Sequence, residues 1–356
     1  MVAQSLETQQ FNPCLVMTTC AVVILNWNGA GYLKKFLPVL LQNTSDAGVR
    51  IIVADNASTD DSLRLLKDEF PRVDRIVLDE NYGFAGGYNK ALAQVEARYY
   101  VVLNSDVEVT EGWLEPVLSY LEENPDVAAA QPKIKSFHQR THFEHAGAAG
   151  GYIDALGYPF CRGRILSVTE PDENQYDTVQ DVFWATGACL IIRSEVYRAC
   201  GGFDDEFFAH MEEIDLCWRM LSRGHRIVVI PTSVVYHVGG GTLSVESPRK
   251  TYLNFRNNLL MLYKNLPDNQ LTSVLWARFF LDLLAALHLV LTGKLQNARS
   301  VLQARIDYRK MKVHFLAKRN ENLQQTICTE LPGRYSGSIL WAFYVKGMKT
   351  FSALRK

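Results

Sequence analysis

RYYVVLNSDVEV, residues 98–109, runs apolar from Tyr99 to Leu103 and then drops into Asn104, Ser105 and Asp106. A short apolar run closed by polar residues reads as a buried strand that delivers a carboxylate to its end. The pattern recurs upstream in CAVVILNW (20–27), VRIIVAD (49–55) and RIVLDEN (75–81). Between these runs lie the amphipathic stretches GYLKKFLPVLLQN (31–43), DDSLRLLKDEF (60–70) and NKALAQVEA (89–97). Strands alternating with helices predict βαβ units: an α/β, Rossmann-like, mostly parallel sheet flanked by helices. Ligands of such sheets bind in the crevice outside the carboxyl ends of the strands, where Asp55 and Asp106 stand.

The second half differs. Residues 136–185, rich in Gly, His, Asp and aromatics, read as long loops lining a site. A strand is expected in ATGACLIIRS (185–194), a turn in GGFDDEFF (201–208), and a helix in MEEIDLCWRMLSRG (211–224) closed by Gly224. RIVVIPTSVVYH (226–237) predicts a strand ending at His237 before Gly239, Gly240 and Gly241. Beyond about residue 250 the pattern is helical.

Bulk properties exclude some functions. The 356 residues are 48% hydrophobic and 21% charged with a formal net charge of -1, so no nucleic-acid partner is expected. Seven scattered cysteines without a C-x-x-C pair suggest reduced thiols and a cytoplasmic setting. The first twenty residues lack a basic start followed by an apolar run, so export is not expected.

Several polar residues invite a ligand. Ser58 or Thr59 is expected to cap a helix beginning at Asp60 and Asp61, leaving Asp55 and Asn56 free for a base edge. DENYGFAGGYNKAL (79–92) places Gly83, Gly86 and Gly87 in a loop before a helix starting near Asn89, where backbone N–H groups could approach a ligand. At 100° per residue, Glu212, Asp215 and Arg219 share a face expected to be solvated. Glu213 instead opens the apolar stripe of Leu216, Cys217 and Met220, and a half-withdrawn carboxylate makes a better base. Asp106 and His237, at two strand ends, suit a divalent cation or a diphosphate.

Together these stretches resemble a family-2, GT-A-fold inverting glycosyltransferase. The resemblance rests on VVILNWNG (22–29), DNASTDDS (55–62), NYGFAGGYN (81–89), LNSDVE (103–108), TGACLIIRSEVYRACGGFDDEFF (186–208), EEIDLCWR (212–219) and YHVGGGT (236–242), in family order. FEHAGAAGGYIDALGYPFCRG and NFRNNLLMLYKNLP further resemble bacterial rhamnosyltransferases and galactofuranosyltransferase-like enzymes of surface-polysaccharide synthesis. The resemblance implies a GT-A domain over 20–262, with a nucleotide-binding half (20–130) and an acceptor-binding half (131–262). Residues 1–19 form an extension, and 263–356 a helical, basic C-terminal region.

By the same resemblance Glu213 is the catalytic base. Asn26, Asp55, Asn56, Gly83, Phe84, Asn89, Asn104 and Ser105 bind the nucleotide. Trp184, Thr186, Gly187 and Glu212 face the acceptor, and Asp106 with His237 holds Mg2+ or Mn2+. Asn104 replaces the first acid of the family's Asp-x-Asp motif, and Glu213 stands where Asp is common. The donor implied is a dTDP- or UDP-sugar, rhamnose-like, and the acceptor a saccharide or lipid-linked sugar. A nucleotidyltransferase would need a basic, Gly-rich loop after the first strand, and NWNGAGYL has no Lys or Arg before Lys34. A non-catalytic binding protein of the same fold would not need Glu213.

LWARFFLDLLAALHLVL (275–291) predicts a helix whose polar stripe is Arg278 and Asp282, short for a span and suited to an interface or a protein core. Residues 294–319 carry eight basic side chains against Asp307, which suits anionic headgroups. Peripheral contact with the inner face of the cytoplasmic membrane is therefore expected, with a homo-oligomer also open.

Overall fold

The computed structural model describes residues 19–44, 46, 48–239 and 247–354. The N-terminal extension, apart from Thr19, and the expected contribution of Gly240 and Gly241 lie outside the described residues.

The first half alternates as its periodicity requires. It runs β1 (Cys20–Asn26), α1 (Ala30–Gln42), β2 (Val49–Asp55), α2 (Ser62–Asp68), β3 (Asp74–Val77), α3 (Gly83–Leu92) and β4 (Tyr99–Asn104). Then come β5 (Val107–Val109), α4 (Glu115–Glu123) and β6 (Val127–Ser136). Strands β3, β2, β1 and β4 are parallel neighbours in that order. Because side chains alternate across a strand, Ala21, Val23, Tyr100 and Val102 enter one core while Val22, Ile24, Tyr99 and Val101 enter the other. Covered faces explain why β1 and β4 are apolar without alternation. Helix α1 closes one face with Leu33, Phe36, Leu37 and Leu40, at the 3–4 spacing of an amphipathic helix.

Residues 136–185, expected as loops, instead hold a small sheet. It is built from β7 (Gly151–Asp154), β8 (Pro159–Cys161), β9 (Arg164–Ile165) and β10 (Val168–Thr169), joined later by β14 (Arg334–Tyr335). Strands this short carry no readable period, and glycines make room for their packing: a Cβ on Gly151 would stand 2.1 Å from the Trp184 ring.

The main sheet is completed by β11 (Gln180–Asp181), β12 (Cys189–Arg193) and β13 (Arg226–His237), with α5 (Ser194–Ala199) and α6 (Glu212–Ser222) between the last two. Strand β12 lies antiparallel between β4 and β6, and β13 pairs with β6 and with β5. The C-terminal part contains α7 (Pro248–Asn265), α8 (Asp268–Leu291), α9 (Leu295–Met311), α10 (Leu316–Gln324), α11 (Ile339–Tyr344) and α12 (Phe351–Leu354). The boundary expected at 262 falls inside α7.

The expectation of a solvated face on α6 fails. Asp215 is fully buried, and Glu212 and Arg219 are 4% exposed. Asp215 pairs with Arg219 and Lys264 at 2.8 Å each and accepts from Asn265 Nδ2 at 2.8 Å. Lys264 and Lys318 in turn bind Asp204 at 2.6 Å each. An i, i+4 ion pair looks the same in sequence whether water or another helix covers it, and here α7 covers it. Burial alone would raise the Asp204 carboxyl, but the charges of Lys264 and Lys318 outweigh it and bring it down to about 2.

Removing one member of a buried ion cluster strands its partners. Asp215→Ala is therefore expected to lower unfolding free energy by about 3–5 kcal/mol, measured by denaturant titration. The Asp204 contribution, fully present above the ordinary carboxylate range near pH 4, is expected to fade as pH falls towards 2.

Candidate active site

Register brings the polar strand ends together. Asn26 pairs with Asp55 across β1 and β2, Leu25 with Asn104 across β1 and β4, and the Asn104 N–H donates to Ala188 O at 3.0 Å. Val107 pairs with His237, which sets the end of β13 beside Asp106. One edge of the sheet thus collects Asn104, Ser105, Asp106, Ala188 and His237.

His237 is 5% exposed and lies between two acids, with Nε2 3.2 Å from Asp106 Oδ1 and Nδ1 3.2 Å from Glu144 Oε2. Asn104 Nδ2 is 3.4 Å from Nε2. Burial would lower the imidazole pKa, but hydrogen bonds and charge from both acids raise it to about 10. Burial would likewise raise Asp106 and Glu144, and His237 holds both below their ordinary range. Adjacent ligands of an octahedral cation bound at about 2.1 Å stand about 3 Å apart, so Asp106 Oδ1 and His237 Nε2 have the spacing of two neighbouring ligands, and a cation would take the place of the proton that Nε2 holds towards Asp106. Among the described residues no three His, Cys, Asp or Glu side chains form a metal-holding group. An ion here would take its other ligands from a bound molecule and water.

Glu213 is the one residue of α6 that is not buried. A Cβ on Gly187 would stand 3.9 Å from Glu213 Cβ and 2.9 Å from the Phe84 ring, so Glu213, Gly187 and Phe84 share one wall. Gly187 adjoins Ala188, which ties that wall to Asn104. Burial raises the Glu213 carboxyl to about 7. Glu212 is raised well above its ordinary range by burial and then by the charge of Glu213, so of the two Glu213 ionises near neutrality. Neither Glu212 Oε2 nor Glu213 Oε2 has a protein partner.

The approach to Glu213 is strained. Phe208, His210 and Met211 have φ of 62°, 72° and 75°, uncommon for residues with a Cβ. Helix α7 holds this turn: Asn257 Nδ2 donates to the carbonyls of Phe207 (2.9 Å), Ala209 (2.9 Å) and His210 (2.7 Å). Phe208 O accepts from Phe84 N at 2.6 Å and Ala85 N at 3.1 Å. Gly83 permits that approach: its φ is +71°, and a Cβ there would stand 2.5 Å from Phe208 O.

Other expected site residues form a supporting layer. The glycines expected in a loop lie in the first turns of α3, which starts six residues before Asn89. Asp55 is 1% exposed and accepts from Asn26 Nδ2 (3.0 Å) and Ser58 N (2.9 Å). Asn56 is not free either: it donates to Asn81 Oδ1 and Gly83 O and accepts from Tyr82 N. Neither Ser58 nor Thr59 caps α2, which begins at Ser62 with Asp60 Oδ1 accepting the Ser62 N–H. Asn89 locks α3 to Phe203, exchanging hydrogen bonds with its N–H and carbonyl. Trp184 is 4% exposed with its indole N–H on Tyr152 O, and buried Thr186 accepts from Ala188 N. Phe84, Asn104 and Ser105 remain half-buried at the crevice.

Glu144, Asn257 and Lys250 escaped the sequence reading. Glu144 sits in FEHAG, where no periodicity marks it. Lys250 is partly withdrawn from water, and its charge acts on Glu144, His145 and His210.

Residues 21–200 match the model of the family described as glycosyl transferase family 2. The N-acetylglucosaminyl-diphospho-decaprenol L-rhamnosyltransferase of Mycobacterium tuberculosis is 26% identical over 231 residues, 61% of this chain and 75% of that protein. Rhamnosyltransferase WbbL of Escherichia coli is 28% identical over 230 residues, 61% of this chain and 82% of that protein. Among solved structures, GalNAc-T7 with UDP, GalNAc and Mn2+ superposes with a TM-score of 0.55 at 16% identity, covering 70% of this chain and 48% of that one. That likeness is one of fold, the GT-A arrangement.

Asn257→Ala would leave three carbonyls of the turn without their shared donor. The amide protons of Phe84, Ala85 and Asp215, which bond to carbonyls of that turn, are expected to exchange with solvent about 10- to 100-fold faster while the β1 amides keep their protection. Hydrogen exchange read by mass spectrometry checks this.

Proposed function

Because this chain belongs to glycosyl transferase family 2, we propose that it moves a rhamnose-like sugar from a dTDP- or UDP-activated donor to a saccharide or lipid-linked acceptor. The setting is cell-surface polysaccharide synthesis, at the inner face of the cytoplasmic membrane. The observation that carries this reading is the placing of Glu213. It is the one half-buried residue of an otherwise buried helix, adjoining the sheet edge that holds Asp106 and His237.

Transfer with inversion needs one base, which takes the acceptor hydroxyl's proton as oxygen attacks the anomeric carbon and the nucleoside diphosphate leaves from the other side. The Glu213 carboxylate, half-buried at the crevice wall, is the group assigned to that proton. Glu212, expected on the acceptor side, is turned into the protein, where burial and the charge of Glu213 keep it from competing for the proton. Asp106 and His237 would hold Mg2+ or Mn2+, with Asn104 beside them. When bound, the cation supplies positive charge against the diphosphate. The base of the nucleotide lies over the row of Asn26 and Asp55, which fix the 55–60 turn, with Phe84, Asn104 and Ser105 lining the crevice.

The relatives named for rhamnose transfer support the donor, and a decaprenol-linked acceptor in the mycobacterial protein's name supports the lipid-linked acceptor. The Mn2+ in the GalNAc-T7 structure supports a divalent cation.

Glu213→Gln is expected to keep donor affinity within about threefold while kcat falls about 10²- to 10⁴-fold. Equal loss of both, in calorimetry and steady-state kinetics, would reject the base. With the carboxyl raised to about 7, kcat should climb about tenfold per pH unit up to pH 7 and level off above it. Chelation should abolish transfer and added Mn2+ or Mg2+ restore it; in Asp106→Ala the added ion should restore nothing. Full activity in chelator would remove the cation from the mechanism.

A further inference from the structure

Helix α8 is inverted. Beyond its first turn its only Asp, Glu, Lys or Arg residues are Arg278 and Asp282, 2% and 0% exposed. Arg278 donates to Leu156 O at 3.1 Å and to Asn258 Oδ1, and its guanidinium lies 4.0 Å from the centroid of the Tyr158 ring. Asp282 binds Arg305 of α9. The opposite stripe, Trp276, Phe280, Leu284, Leu287 and Leu291, stands in solvent, with Trp276 61% and Leu291 77% exposed. A soluble surface helix places these residue classes the other way round.

Helix α9 continues the theme with charge added. Leu295, Arg299, Leu302, Ile306 and Arg309 follow one another at 3–4 spacing, and all are exposed, as is Val313 just past the helix end. Lys294, Lys310 and Lys312 are exposed as well, and Asp307 is the one acid in the segment.

We propose that the α8–α9 hairpin lies flat on an anionic lipid surface, burying the apolar stripe among acyl chains and setting the basic residues against headgroups. At about 1.5 Å per residue α8 is long enough to cross a bilayer. Crossing would strip Arg278 from Leu156 and Asn258, and Asp282 from Arg305, so the helix stays on the surface. A second copy of this chain fits the face less well, because a twofold contact sets the Arg299 and Arg309 row against itself. The proposal extends the reading of a lipid-linked acceptor, on which it rests for its purpose.

The test is co-sedimentation of the full chain with phosphatidylcholine vesicles, with and without phosphatidylglycerol, in the absence of donor and acceptor. Binding is expected only with the anionic lipid. It should weaken at least tenfold in Leu284→Glu/Leu287→Glu and in Arg299→Glu/Arg309→Glu, with thermal midpoints unchanged. Trp276→Phe should remove the vesicle-induced shift in tryptophan emission. Transfer to a short water-soluble acceptor should be unchanged in all three, which keeps failure of the surface distinct from failure of the transferase reading. No binding by the native chain, or variants that bind as it does, would overturn the proposal. So would a dimer that Leu284→Glu/Leu287→Glu converts to monomer without vesicle binding in either form.

Discussion

The carboxylate of Asp215, sealed from water, is the constraint on which the active-site side of the molecule depends. It faces Arg219 one turn along its own helix and Lys264 and Asn265 on α7, and Lys264 passes the charge on to Asp204. Burying ions costs desolvation that only close pairing offsets, so the cluster tolerates one arrangement of α6 against α7. That arrangement fixes where α6 begins, and therefore where Glu213 stands. The strained turn before it is affordable because α7 holds the turn from the other side.

Two carboxylates at one helix start end up with different tasks. Adjacent residues point about 100° apart, so Glu212 turns into protein while Glu213 turns to the crevice. The positive end of the α6 dipole favours ionised acids in the first turn, yet desolvation outweighs it for both. The outcome is one group poised near neutrality beside one that stays protonated, the usual way for a site to separate acid from base chemistry.

Much of the nucleotide half was legible because strands and helices there repeat with clean periods. Asn104, Asp106 and His237 could be assigned to strand ends, and register then had no choice but to gather them. What failed had a common physical reason. Whether Asp215 and Arg219 face water depends on α7, some fifty residues on, and a charge pattern records no neighbour. Asn56, expected to be free, carries an amide that suits a ligand and a neighbouring acceptor equally well, and here Asn81 and Gly83 take it. The glycines of GFAGG were read as a loop, although Gly83 is needed for one positive φ and one close carbonyl while its neighbours are helical. Glu144 lies in the segment after β6, next to an isolated bridge between Phe143 and Lys135 and in no strand of its own, so no period marks it.

Asn257 and Asn258 are consecutive on α7, yet the first holds the turn before Glu213 and the second holds Arg278 of α8. Helical geometry lets both be right in one register only. An insertion or deletion of a single codon between the start of α7 and this pair would swing both amides by about 100°, uncoupling the turn and the long helix together. This stretch should accept many spellings but only one length.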